Sequence, residues 1–388
     1  MSGHDVVVVG GRVAGASTAL LLARAGLRVA LVDRGRRGSD TLSTHALMRA
    51  GVLQLSRWGV LDTLVAAGTP AIRRTAFHYP DGEHVEVAIK PRAGVEALYA
   101  PRRHLLDRLL VDAAEEAGVQ VWHETTVTSL LRDGVGTVRG VSARRADGAR
   151  LELPADLTVG ADGIRSLVAE QAGSRVTWQG RTSSAVLYRY VEDGPADSYE
   201  WVYGSGAAAG VIPTNDGASC LFVATTPARM RRLRRSGVDE AIAALLARAG
   251  AAVVDRVRDA RPVSPVRGWS GVAGYARHAW GPGWALVGDA GYFKDPSTSH
   301  GITDALRDAE LLADQVLAAY GGQVTEEVAL ARYEDLRDRL SRQLFEATEG
   351  VAAYDWDADG IRALLRRFSA AMADEVDHLE ALSAAAAT

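Results

Sequence analysis

The chain has 388 residues, 47% of them hydrophobic and 24% charged, which is enough for two domains with sizeable cores. Its net charge of −4 is small for this length and argues against a nucleic-acid partner and against a basic membrane-binding surface. The only cysteine is Cys220, so one chain forms neither a disulfide framework nor a thiolate metal site, and we predict no metal.

The first 33 residues follow the order strand, glycine turn, helix, strand and acid. A β-branched run over 6–9 predicts a buried parallel strand, and residues 16–25 predict a helix that ends at Gly26. A second strand over 28–32 leads to Asp33.

The turn between the first strand and the helix contains Gly10, Gly11 and Gly15. Glycines let the backbone approach a pyrophosphate, the helix N-terminus offers free N–H groups, and the acid accepts hydrogen bonds from a ribose. This order predicts a dinucleotide site; the alternative is a buried unit whose glycines serve only a tight turn. Arg12 replaces the middle glycine of the usual motif, and we expect its guanidinium beside the phosphates.

Residues 34–122 predict a polar loop, short helices, a hairpin, a longer helix and a strand. The loop ends in a hydroxyl-rich cluster with Thr44 and His45, which suits phosphate, ribose or ring binding as well as plain helix capping. Alternating residues predict strands on both sides of a turn at 80–83, and the longer helix is expected to begin at Arg103.

The middle of the chain has a different pattern. A buried strand that ends near Gly160 leads into a second glycine turn with Asp162 and Gly163. Alternating runs over 177–226 then predict an antiparallel sheet with one covered face, which we interpret as a substrate domain. Its aromatic residues are Trp178, Tyr188, Tyr190, Tyr199, Trp201, Tyr203 and Phe222.

The last third is predicted to be mostly helical. A helix is expected over 238–249, and a buried strand that ends at Gly288 leads into a third glycine turn. Beyond Gly301 the apolar residues keep helical spacing. Thr325 then caps a long helix, and a further helix is expected over about 359–373.

Three separated motifs carry a family resemblance: VVVVGGRVAG followed by Asp33, GADG at 160–163, and GDAG at 288–291. In this order they resemble the para-hydroxybenzoate hydroxylase-like superfamily of FAD proteins, which includes aromatic hydroxylases and, more distantly, flavin halogenases and geranylgeranyl reductases. The combination GGRVAG, DTLSTH and GDAGYFKDP is similar to a bacterial branch in which arginine commonly replaces the second glycine. The resemblance covers most of the chain.

The resemblance implies an α/β fold, in which a doubly wound, Rossmann-like FAD-binding domain carries an inserted antiparallel β-sheet substrate domain and C-terminal helices. The expected boundaries are 1–70, 98–172 and 270–320 for the FAD-binding domain, 71–97 and 173–269 for the substrate domain, and 321–388 for the helical segment.

The resemblance also implies the contacts with FAD. Asp33 and Arg34 would meet the adenosine, and Asp289 the ribityl chain or the pyrophosphate. A helix that begins near Gly301 would aim its positive end at the N1 and C2 carbonyl side of the flavin, where the reduced ring is negative. The other expected contacts are Gly10, Gly11, Arg12, Ala14, Gly15, Thr44, His45, Arg102, Arg103, Val127, Asp162, Gly163, Gly288, Pro296 and Ile302.

The implied function is NAD(P)H-driven hydroxylation of an aromatic or polycyclic small molecule by molecular oxygen, through a flavin C4a-hydroperoxide. His45, His300 and Lys294 are the candidate catalytic residues, since histidine titrates near neutrality and a lysine can steady an anionic flavin. Each of the three also has a purely structural interpretation.

Other functions share these motifs. An FAD-dependent reductase or dehydrogenase is the main alternative. A halogenase is disfavoured, since the chain lacks the paired tryptophans of the WxWxIP element and has only Lys90 besides Lys294. A protein that has lost FAD and only binds a ligand is the alternative outside catalysis.

The expected location follows from two absences. No signal peptide precedes the first predicted strand, and no apolar run reaches the ~20 residues that span a bilayer. The sequence therefore predicts a cytoplasmic protein. Separately, we expect a monomer or a homodimer.

Overall fold

The structure is a computed structural model that describes residues 3–192, 194, 197–250, 257 and 260–386. Its strands are β1 (His4–Val9), β2 (Val29–Val32), β3 (Arg74–His78), β4 (His84–Ala88), β5 (Gln120–Trp122), β6 (Thr125–Arg132), β7 (Val138–Arg145), β8 (Arg150–Gly160), β9 (Val176–Gln179), β10 (Ala185–Val191), β11 (Ser198–Gly204), β12 (Ala207–Pro213), β13 (Ser219–Thr225), β14 (Arg267–Trp269), β15 (Tyr275–Arg277), β16 (Trp280–Gly281), β17 (Trp284–Leu286) and β18 (Tyr292–Phe293). Its helices are α1 (Val13–Arg24), α2 (Arg49–Arg57), α3 (Leu61–Ala66), α4 (Arg103–Glu116), α5 (Leu167–Ala172), α6 (Pro227–Leu233), α7 (Val238–Ala249), α8 (Gly301–Tyr320), α9 (Glu326–Ala353) and α10 (Ala358–Ala386).

The first sheet is built on the predicted strand, turn and helix. Its strand order is β16-β17-β8-β1-β2-β5, and β6 and β7 extend β8 as an antiparallel ribbon. β1 pairs in parallel with β2 and β8, and Val6, Val7 and Val8 are fully buried, which confirms the expected buried parallel strand. The helix begins at Val13 rather than at residue 16, because Arg12 already serves as its N-cap.

The second sheet has seven strands in the order β14-β10-β13-β12-β11-β3-β4. Its neighbours run antiparallel except β11 and β3, which run parallel. The α/β fold with a separate, mainly antiparallel sheet is therefore confirmed.

Both faces of the second sheet are buried along β10 to β13, so the prediction of one covered face is wrong: helices α6 and α7 cover the second face. The two faces differ in chemistry. On β10, Leu187 and Val191 belong to an aliphatic core shared with α6 and α7, whereas the alternate residues point towards the first sheet and its helices. A Cβ at Gly210 would lie 2.4 Å from the Phe222 ring, so this glycine makes room for the ring. The side chains of this aromatic face are Tyr188, Tyr190, Tyr199, Trp201, Tyr203 and Phe222.

One residue predicted to join this aromatic group lies elsewhere. Trp178 belongs to β9, which forms a three-stranded sheet with β15 and β18. Its ring packs against Phe345 and Tyr292, with centroid distances of 6.0 and 6.5 Å. The alternation of residues could not reveal this, because β9 pairs with the distant residues 275–277.

The C-terminal helices differ from the prediction in length. α9 has its predicted cap, where Thr325 Oγ1 accepts a hydrogen bond from the backbone N–H of Val328. α10 extends to Ala386 instead of ending near residue 373, because Val376 and Leu379 continue its buried side.

The C-terminal helices contact other helices and, through the loop between α9 and α10, the second sheet. α9 packs on α8, and α10 contacts α2. The loop between α9 and α10 brings Trp356 edge-on to Tyr203 of the aromatic face, with ring centroids 5.8 Å apart. Among the described residues, no helix combines the length and apolar character needed to cross a bilayer.

Candidate functional site

The glycine turn brings three backbone segments into close contact. Gly10 has φ +108°, and a Cβ there would lie 2.3 Å from the carbonyl oxygen of Ala161. A Cβ at Gly15 would lie 1.8 Å from the carbonyl oxygen of Gly10. Only glycine allows this approach, so the start of α1 forms a cradle beside the second glycine turn.

Asp33 forms one end of this cradle. Its Oδ2 accepts a hydrogen bond from the N–H of Gly11 and its Oδ1 one from the N–H of Gly35, both at 2.6 Å. Each carboxylate oxygen keeps a second lone pair, and Arg34 beside it is exposed. This is the acceptor that a ribose hydroxyl needs at the end of a second parallel strand.

Two arginines share one buried carboxylate beside the cradle. Arg12 Nη1 donates to Asp107 Oδ2 at 2.7 Å, and Arg103 Nε donates to Asp107 Oδ1 at 3.0 Å. Arg12 also donates to the Ser39 carbonyl oxygen at 2.5 Å. Two cations against one anion leave a net positive charge, which suits a pyrophosphate.

The third glycine turn connects the first turns of two helices. Gly288 has φ +59°, and a Cβ there would lie 2.8 Å from Ala14 Cβ and 3.8 Å from Ala305 Cβ. The positive N-terminal ends of α1 and α8 therefore adjoin the same turn. Gly301, the first residue of α8, is exposed and has open space in front of it.

Asp289 faces solvent although it lies deep in the protein. Its side chain is exposed, yet the surrounding protein raises the pKa of its carboxyl to about 6, with Arg103 and Lys294 partly offsetting that rise. Asp289 and Gly301 are both exposed, and we call the surface that they share with the three glycine turns the cleft. The cradle, the paired arginines and the acceptor at Asp33 fit FAD, and a bound FAD would have its adenosine at Asp33 and its ring towards α8.

This cleft makes FAD affinity depend on pH. Because the pyrophosphate adds negative charge near Asp289, FAD should bind better when that carboxyl is protonated. We expect the FAD Kd to rise roughly 3- to 10-fold from pH 5 to pH 8 in fluorescence titrations, as the carboxyl ionises. Asp289→Asn should abolish that rise; an equal pH dependence in the variant would contradict this role.

Asp162 and Val127, two of the expected FAD contacts, have contacts within the protein. Asp162 accepts hydrogen bonds from Ser166 Oγ at 2.5 Å and from the N–H of Leu167 at 2.7 Å, so it caps the start of α5. Gly163 beside it has φ +82°. Val127 lies on β6 and is buried in a core that it shares with residues of β1, β2 and β7.

His45 lies where the cleft meets the aromatic face. It is fully buried in a left-handed conformation, with φ +70°. Its Nε2 lies 2.5 Å from the Tyr190 hydroxyl, and its Nδ1 has no hydrogen-bond partner among the described residues. Burial, followed by the nearby Arg102, lowers the pKa of His45 to about 3, so the ring is neutral at pH 7.

Arg102 points towards the sheet. Its guanidinium lies 3.8 Å from the centroid of the Tyr190 ring and donates to Asp40 Oδ2 at 3.1 Å. Arg267 from β14 donates to the same oxygen at 3.0 Å. These contacts join the loop before α2 to the second sheet.

The loop around Thr44 also reaches the start of α8. The hydroxyls of Thr44 and Ser299 lie 3.1 Å apart, just before Gly301. Pro296 begins a short 3-10 turn in the segment before α8, and Ile302, the second residue of α8, is buried. His45, the aromatic face and the start of α8 therefore surround one region, at the opposite end of the cleft from Asp33.

Lys294 and His300 belong to a buried ion network. Its members are Lys294, His300, Asp304, Arg307, Asp308 and Glu375. Lys294 Nζ contacts Asp304 Oδ2, and burial lowers the pKa of Lys294 well below its usual value. His300, Asp304 and Glu375 each place one possible metal ligand within 4.8 Å of the others, but Lys294 and Arg307 already pair with these carboxylates.

Three residues of this region were not predicted as site residues from the sequence: Asp107, Tyr190 and Glu375. Asp107 lies four residues after Arg103, a spacing that places the two side chains on one helix face. Tyr190 was counted only among the aromatic residues. No local pattern reveals Glu375, because its partner Arg307 is 68 residues away.

Comparisons with known proteins identify the family of the chain. The model of a family described as "FAD binding domain" matches residues 3–348. The chain is 28% identical over 413 residues to a digeranylgeranylglycerophospholipid reductase of Methanothrix thermoacetophila, covering 97% of this chain and 99% of that protein. It is 27% identical over 370 residues to a putative polyketide hydroxylase of Streptomyces halstedii, covering 90% and 64% respectively.

Among solved structures, the chain resembles PqsL, a probable FAD-dependent monooxygenase from Pseudomonas aeruginosa. The TM-score is 0.76 with 23% sequence identity, covering 96% of this chain and all of that one. At this identity the likeness shows a shared fold.

Proposed function

The chain belongs to the FAD binding domain family, as an FAD-dependent oxidoreductase, and from this premise we propose that it is a monooxygenase. It would use NAD(P)H and molecular oxygen to hydroxylate an aromatic or polycyclic small molecule. The observation that carries the proposal is the aromatic face of the second sheet. Through Tyr190, His45, Thr44 and Ser299 this face is continuous with the start of α8 at the flavin end of the cleft.

Bound FAD would supply the redox chemistry, and the chain's residues would hold and orient the substrate. Burial raises the pKa of Tyr190 far above its usual value, so its hydroxyl stays protonated and donates to His45 Nε2. The neutral ring of His45 then carries its hydrogen on Nδ1, which has no partner among the described residues. In this proposal, the hydrogen bond between Tyr190 and His45 holds the aromatic face beside the flavin end of the cleft.

The packed surroundings support the same role. Trp356 covers Tyr203 from the C-terminal side, and the guanidinium of Arg102 covers the Tyr190 ring. Such a setting would exclude water from a substrate held against this face.

The second candidate is an FAD-dependent reductase of carbon–carbon double bonds. The observation that favours it is the similarity to the digeranylgeranylglycerophospholipid reductase along almost the whole of both chains. Halogenation is less well supported, because Lys294 is tied to Asp304 inside the protein and Lys90 is exposed.

Oxygen uptake separates the two candidates. The FAD-loaded protein would be given NADH or NADPH and a panel of phenols, polycyclic aromatics and prenyl lipids, with catalase present to reveal uncoupled peroxide formation. We expect an aromatic compound to increase oxygen uptake and to become hydroxylated. Product formed at an undiminished rate without oxygen would favour the reductase.

A further inference from the structure

The ion network joins the start of α8 to the C-terminal helix α10. Glu375 comes from α10, whereas the other members lie within residues 294–308. Its Oε1 accepts a hydrogen bond from Arg307 Nη1 at 3.0 Å, and its Oε2 lies 3.1 Å from His300 Nε2. The side chains of Glu375, Arg307 and His300 have no exposed surface.

Glu375 holds two groups that flank the first turn of α8. His300 immediately precedes Gly301, and its other ring nitrogen, Nδ1, lies 3.1 Å from Asp304 Oδ1. Phe368, also from α10, packs edge-on against the His300 ring at a centroid distance of 5.6 Å. α10 therefore fixes the histidine ring from two sides.

This position is at the flavin end of the cleft. The first turn of α8 adjoins Gly288, and Gly288 adjoins the first turn of α1. Asp33 occupies the opposite end of the cradle, where the adenosine fits. The ring of a bound FAD would then lie next to Gly301, with His300 and the rest of the ion network directly behind it.

The ion network carries more negative than permanent positive charge. Its three carboxylates face at most two cations, Lys294 and Arg307, because burial lowers the pKa of Lys294 well below its usual value. Burial lowers the pKa of His300 to about 4, so the histidine adds no charge at pH 7. Since water is excluded from these side chains, their field is weakly screened and opposes the arrival of electrons on a nearby flavin.

We propose that Glu375 is a positioning residue for the flavin: it holds the first turn of α8 through His300 and Arg307, and its charge lowers the reduction potential of bound FAD. This inference rests on the FAD family and is independent of the proposed hydroxylation.

The test measures the reduction potential of bound FAD by dye-coupled titration, without substrate or oxygen, together with the FAD Kd. Glu375→Gln removes the charge and one of the two acceptors. At a fixed potential, we expect its ratio of reduced to oxidised FAD to rise at least tenfold, which is about 30 mV for a two-electron couple. Glu375→Asp keeps the charge but shortens the reach, so its ratio should stay within threefold of the wild-type value while its FAD Kd rises at least threefold.

The matched control is Glu380→Gln on the same helix, where Glu380 forms a partly exposed pair with Arg92. At a fixed potential, its ratio of reduced to oxidised FAD and its FAD Kd should both stay within twofold of the wild-type values. A potential of Glu375→Gln equal to that of the control overturns the proposal, whatever its melting temperature. If Glu375→Gln does not retain FAD, the test rests on Glu375→Asp. An unchanged FAD Kd in Glu375→Asp then overturns the proposal.

Discussion

The Gly15→Ala variant is expected to purify without flavin and to bind added FAD at least about 100-fold more weakly, a loss of about 2.8 kcal/mol. The added methyl carbon would lie 1.8 Å from the carbonyl oxygen of Gly10 and 3.0 Å from Ala161 Cβ. The glycine turn has to move outward to relieve this contact, into the space where we expect the pyrophosphate of FAD. Fluorescence quenching of added FAD measures the affinity.

The matched control for this variant is Gly134→Ala in the turn between β6 and β7. A Cβ at Gly134 meets no atom within 4 Å, so this variant should keep its flavin. Circular dichroism of both variants separates loss of the site from loss of the fold. A folded Gly15→Ala protein with wild-type affinity would show that the cradle does not hold the pyrophosphate.

Replacement of Arg307 by leucine should lower the free energy of unfolding by about 3–5 kcal/mol, the usual cost of breaking a buried ion pair. The guanidinium is fully buried and pairs with Asp304, Asp308 and Glu375. Without it, three carboxylates face one another, and Lys294, which pairs with Asp304, is the remaining basic group of the network besides His300. Urea unfolding followed by tryptophan fluorescence measures the loss.

Arg28→Leu is the matched control for the ion network, since Arg28 pairs with Asp5 at the surface. Water screens such a pair, so the unfolding midpoint should move far less than in Arg307→Leu. Equal midpoints for the two variants would mean that the buried pairs contribute no more than an exposed one.

Much of the fold was predictable because local patterns determine it. The β-branched run before Gly10 and the acid at Asp33 define the first sheet's central unit, and both lie where they were expected. The alternation along β10 correctly predicted a strand of an antiparallel sheet, in which Tyr188 and Tyr190 lie on one face because side chains of a strand alternate. The FAD family followed from the order of three short glycine motifs.

Contacts between distant segments were not predictable in this way. Trp178 was assigned to the wrong sheet because its strand partners are 275–277, far along the chain. The pairing of Arg12 and Arg103 through Asp107 depends on how α4 packs against α1. Glu375 reaches His300 only because α10 folds back onto α8, which no periodicity in either helix specifies.

The proposed roles of His45 and Lys294 differ in what the structure adds. His45 combines a left-handed backbone and complete burial with a contact to the Tyr190 hydroxyl, which supports a role in holding the aromatic face. Lys294 is paired with Asp304, so we assign it to the ion network behind the flavin and propose no proton transfer for it.

Isotope labelling under ¹⁸O₂ tests the central claim most directly. The FAD-loaded protein would receive NAD(P)H and the panel compound that most increases oxygen uptake, and mass spectrometry would follow the product. A monooxygenase places one ¹⁸O atom in each molecule of hydroxylated product. A product that gains two hydrogen atoms and no ¹⁸O would contradict the proposal and identify the chain as a reductase.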